Sequence, residues 1–105
     1  MPETRFLIRW PDGTPESCYS PSLVIEDYLV AGKAYALADF LTLSRTALAI
    51  ASDRVKAKYG VPCHRARAQL ARIEATAARF AGVPDARVTV DVFEHDGEAL
   101  ERPST

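Results

Sequence analysis

From Ala38 to Phe80 the apolar residues recur every three or four positions, with one break at Gly60-Val61-Pro62. That period belongs to a helix, and so short a break carrying Gly and Pro is a tight reversal. The chain is therefore committed to an antiparallel helical hairpin. In the first helix, about Ala38 to Tyr59, one stripe is Leu37, Leu41, Leu48, Ala51, Val55 and Tyr59. A second is Leu43, Ala47 and Ile50, with Phe40 between the two. At about 100° per residue the apolar arc exceeds half the circumference, more than a one-sided surface helix needs. Gly60 suits the position after the last turn, and Lys56 and Lys58 suit the negative end of the helix dipole. The second helix, Pro62 to Phe80, carries Ala66, Leu70, Ile73, Ala77 and Phe80 on one face, with further alanines beside them.

Such a hairpin needs a second layer to cover it. Residues 4–10 alternate as a strand, with Phe6, Ile8 and Trp10 on one side. Pro11-Asp12-Gly13 is a turn, and residues 15–20 return as a second strand containing Cys18 and Tyr19. Ser20-Pro21 reads as a helix start, Ser as cap and Pro at the first position, for a short helix that stops at Gly32. Residues 33–37 are a connector containing Tyr35. Residues 87–93 form a strand with Val88, Val90 and Val92 on one face. The expected fold is α+β in the order β-β-α-α-α-β, a small antiparallel sheet (the β-hairpin plus the C-terminal strand) against the helical hairpin. One domain over residues 1–93 suits a chain of 105 residues, and residues 94–105 read as an acidic, flexible tail.

Charge is segregated. Basic residues exceed acidic ones by 6 between Ser44 and Phe80, while the flanks, residues 1–43 and 81–105, carry −3 and −4, which leaves −1 overall. Ten of the 13 basic residues are Arg, a good phosphate partner, yet the near-neutral total argues against nucleic acid. An acidic protein partner fits at least as well. The N-terminus has no long apolar run and no segment approaches the ~20 apolar residues of a membrane span. A cytoplasmic protein with reduced thiols is expected, with no membrane partner.

Five residues are candidate ligand or partner contacts. Cys63 lies near a helix N-terminus, where the dipole can activate a thiol, but adjacent His64 diverges from it on the helix. Cys18, Tyr19 and Ser20 sit where a strand passes into a helix start, a junction whose free N–H groups can hold an anion. No metal-ligand spacing, phosphate loop or nucleophile elbow is present, so no metal and no cofactor is expected, and no catalytic residue is assigned.

The order of several short motifs carries a resemblance. Arg9-Trp10-Pro11-Asp12-Gly13, Cys18-Tyr19-Ser20-Pro21-Ser22, Ala38-Asp39-Phe40, Ser44-Arg45, Ala47-Leu48, Ala51-Ser52, Arg54-Val55, Lys58-Tyr59-Gly60 and Cys63 together resemble a small bacterial family of nitrogen-starvation response proteins. Its members are typically encoded beside a nitrilase, a radical-SAM protein, an acetyltransferase and a flavin-dependent oxidoreductase, in clusters linked to nitrile or cyanide assimilation. The resemblance implies a role in nitrogen metabolism and supplies no catalytic residues. The leading expectation is a non-catalytic accessory or interaction protein binding a partner enzyme of the pathway or a second copy of itself. For a homodimer, the candidate contacts are Leu43, Ala47 and Ile50, the stripe the sheet would not cover. Two alternatives are a small enzyme or ligand-binding protein using Cys63 or Cys18, and a nucleic-acid-binding regulator.

Overall fold

The structure, a computed structural model, describes residues 3–95. Its elements run β1 (Thr4–Arg9), β2 (Pro15–Ser20), α1 (Ile25–Tyr28), β3 (Ala34–Ala36), α2 (Leu37–Tyr59), α3 (His64–Ala78) and β4 (Arg87–His95). The fold is α+β, with an antiparallel sheet against the two long helices. Among the described residues the sheet has four strands in the order β2-β1-β4-β3. The additional strand is the expected connector. Gly32 at φ +86° donates to the Val90 carbonyl, and Val90 N–H returns a bond to Lys33, so the segment docks on β4. Tyr35 then turns its ring into the core, and its hydroxyl accepts the Val30 N–H at 2.8 Å.

The β1–β2 turn closes as its residues dictate. Gly13 sits at φ +87°, Trp10 N–H donates to the Thr14 carbonyl, and Thr14 N–H donates to the Asp12 carboxylate at 3.0 Å. That hydrogen bond, before any other influence, holds the Asp12 carboxyl below its ordinary pKa. Trp10 fastens the hairpin to the helices. Its ring stacks on Phe80 at 6.0 Å, meets Phe40 edge-on at 5.9 Å, and its N–H donates to Glu16 at 2.7 Å.

Two local expectations are corrected. Ser20 does not cap a helix, because its backbone is still paired in β2 opposite Thr4. Its hydroxyl donates to the Ser22 carbonyl at 2.7 Å, Ser22 shapes the following turn, and α1 is a single turn beginning at Ile25. Val92 does not share a face with Val90. Leu7 pairs with Val92 but Ile8 with Val90, so Asp91 is a bulge that sends Val92 to the outer face and Phe93 towards the core. β4 continues through Glu94 and His95, and His95 Nε2 contacts the Glu26 carboxylate. The rest of the expected acidic tail, from residue 96, lies outside the described residues.

α2 buries the arc between the two stripes, through Phe40, Ser44, Ala47, Leu48, Ala51 and Ser52. Leu41 and Leu43 pack at its margins. Gly60 at φ +88° ends the helix, its N–H on the Lys56 carbonyl. Ser44 is fully buried and its Oγ has no hydrogen-bond partner. An unpaired buried hydroxyl is a cost that Ala does not carry, and Ala is also the better helix former. Ser44→Ala should therefore stabilise the fold by about 1 kcal/mol. Urea titration checks this, and a loss of similar size would contradict it.

Candidate functional site

α3 lies along β2, the edge of the sheet. Its inner face carries Ala66, Ile73 and Ala77, and one polar residue, Gln69. The Gln69 Oε1 accepts the outward-pointing N–H of Tyr19 at 3.0 Å. Arg65 and Arg72, on the adjoining face, reach over the strand. The Arg65 guanidinium stands 3.8 Å above the Tyr19 ring. It also faces Glu3 at 3.6 Å, and the Tyr19 hydroxyl donates to that same carboxylate at 3.2 Å. Arg72 faces Glu16, the acceptor of Trp10, at 3.8 Å. Cross-strand pairing places Arg5 directly beside Tyr19 on the outer face.

These groups line a cleft of about 270 Å³ between β2 and α3, with Arg5, Tyr19, Arg65, Gln69 and Arg72 in its walls and Ser17 and Ala68 between them. Both ion pairs are longer than a hydrogen bond, so each guanidinium keeps donors to spend. The Gln69 Nε2 is buried without a hydrogen-bond partner. The chemistry offered is donation and positive charge. Elsewhere, Arg45 pairs with Glu74 at 2.7 Å and Arg54 donates to Ser22 at 3.2 Å, so the basic middle is partly matched from within the chain.

The sequence-predicted residues divide. Tyr19 belongs to the cleft. Cys18, its neighbour, points the opposite way into the core and is fully buried. Burial first, then the Glu16 carboxylate, push its thiol far above 9.0. Ser20 is buried and occupied by its own turn. Cys63 caps α3, its Sγ accepting the Ala66 N–H at 3.4 Å while its own N–H donates to Ser52. His64 is exposed. Both cysteines are free thiols, and neither lines the cleft between β2 and α3. Of the proposed dimer contacts, Ala47 is fully buried within its own chain, whereas Leu43 and Ile50 are half-buried. Among the described residues no cluster of three potential metal ligands occurs, and no helix is long and apolar enough to cross a membrane.

Sequence reasoning did not single out Arg5, Arg65, Gln69 or Arg72. A signal existed for three of them. Gln69 interrupts an otherwise apolar stripe, and Arg65 and Arg72 lie seven apart, nearly two helical turns. Arg5 carried none.

Residues 5–93 match the family model of the nitrogen starvation-induced protein NitG. The chain belongs to the NitG family. No curated protein and no solved structure matches it. The matched span runs from Arg5 to Phe93, so every cleft residue named above falls inside the NitG-family region.

The pKa shifts give a test. Burial and then Glu3 push the Tyr19 phenol from 10.0 to about 12, with a smaller contribution from Cys63 and opposition from Arg65. The folded chain thus holds the Tyr19 and Cys18 protons more tightly than the unfolded chain does. Their contribution to stability is complete below the unfolded values of 9.0 and 10.0 and is lost as pH rises towards 12. Stability in urea should fall across that alkaline range, and Tyr19→Phe should flatten the part between 10 and 12. An unchanged slope in Tyr19→Phe would contradict this placement of the phenol.

Proposed function

We propose that this protein serves the nitrogen-starvation response as a non-catalytic accessory protein. It works by binding, in the cytoplasm, and its partner is an enzyme of the same pathway, nitrile or cyanide assimilation. The observation that carries the reading is the cleft between β2 and α3, which offers guanidinium and amide donors suited to binding. The two thiols support the same reading: one is sealed in the core and the other is occupied as a helix cap. An acidic group on the partner is received by Arg65 and Arg72, which are 59% and 71% exposed and so open to it. A partner of different sequence is favoured over a second copy, because Ala47 is already used inside its own chain.

The test is affinity capture from nitrogen-starved cells with tagged wild-type and variant chains. Wild type should retain a partner in stoichiometric amount, and Cys18→Ala and Cys63→Ala should retain it equally. The double variant Arg65→Glu, Arg72→Glu should lose it. A partner whose capture depends on a thiol and ignores both arginines would overturn the reading.

A further inference from the structure

The cleft also has a chemistry specific enough to name what it holds. Near the cleft, the Tyr19 hydroxyl is engaged with Glu3, and Glu16 is engaged with Trp10. The guanidinium and amide donors are less fully used. Arg5 enters no salt bridge among the described residues, Arg65 and Arg72 face their carboxylates only at 3.6 and 3.8 Å, and the buried Gln69 amide nitrogen has no partner. Arg65 is braced on the Tyr19 ring and Gln69 is braced by the Tyr19 N–H, so two donor-bearing side chains are held in place before any ligand arrives. Glu3 and Glu16 face Arg65 and Arg72, and Glu94 is the cross-strand neighbour of Arg5, so the cleft is distinguished by its unspent N–H donors rather than by a net charge. At about 270 Å³ the space is below the ~300–1,000 Å³ common for pockets that enclose drug-sized ligands.

We propose that Arg5, Arg65, Arg72 and Gln69 form a binding site for a small oxyanion, a carboxylate or a phosphate. The anion lies between the guanidinium forks of Arg65 and Arg72, with Arg5 closing the outer side. Guanidinium matches both groups through paired N–H donors, which an ammonium does not. The inference rests on the reading of the cleft as a binding surface, but it concerns the isolated chain and a free anion. Its failure is therefore separable from failure to capture a protein partner.

The experiment is a titration of the ¹⁵N-labelled full chain, at constant ionic strength, with inorganic phosphate, succinate and acetate, and with choline as the cationic control. At least one oxyanion should shift the amide resonances of Tyr19, Ala68 and Gln69 saturably, and choline should not. Which anion saturates distinguishes phosphate from carboxylate as the source of the chemistry. Arg72 is on the surface, so Arg72→Met should keep the wild-type spectrum and weaken binding about tenfold or more. Arg72→Lys, which keeps the charge and loses the fork, should recover only part of it. Shifts that stay linear with every anion, that centre elsewhere in the chain, or that persist unchanged in Arg72→Met would overturn the proposal.

Discussion

One side-chain hydrogen bond organises the functional side of this molecule. β2 is an edge strand, and an edge exposes N–H and C=O groups to any other strand that comes near. The Tyr19 N–H is instead taken by Gln69 of α3 at 3.0 Å. A helix laid along the edge shields it, and the bond fixes the position at which helix and strand meet. Everything that lines the cleft follows from that position. Gln69 is four residues from Arg65 and three from Arg72, so all three project towards the strand together. Tyr19 and Arg5 are cross-strand partners, so both stand on the outer face at the same level. Were α3 to slide by one turn along β2, the guanidinium groups would lose Tyr19, Glu3 and Glu16 as neighbours.

The opposite side of Tyr19 shows why the thiols are poor candidates for chemistry. Alternation along β2 sends Cys18 inward beside Phe6 and Tyr19 outward beside Arg5. Two residues adjacent in sequence thus face opposite sides of the strand, Cys18 into the apolar core and Tyr19 beneath charged side chains. Cys63 lies at the start of the helix that carries the arginines, and its sulfur is used there as an ordinary helix cap. The sheet's other edge is managed differently: β3 has only three residues, so it offers little to a second chain.

Much of the architecture was legible because it rests on periodicity. The two helices, the hairpin with its Pro-Asp-Gly turn and the C-terminal strand all carry local patterns, and the order of elements follows from them. What was not legible depends on contacts between distant segments. β3 has no strand pattern of its own and exists because Gly32 and Lys33 pair with Val90. The Asp91 bulge is set by register against β1, which no reading of residues 87–93 alone reveals. In the same way Tyr19 was recognised as a candidate, but the arginines that complete its site come from another element. Charge counting found Arg65 and Arg72 within a basic middle and passed over Arg5; only the packing of α3 on β2 shows that they converge. Ser44 is a similar case, a polar residue whose position between two apolar stripes put it at the centre of the buried arc.

The account stands on the contact between α3 and the edge of the sheet, and the Tyr19 amide reports that contact directly. Native-state hydrogen exchange, read at that one N–H in wild type and in Gln69→Ala, isolates it. The account predicts that the Tyr19 amide in the wild-type protein is protected like the inter-strand amides of β1, and that Gln69→Ala, while still folded, returns it to rapid exchange. Rapid exchange at Tyr19 in the wild type, or protection undiminished in Gln69→Ala, would contradict it.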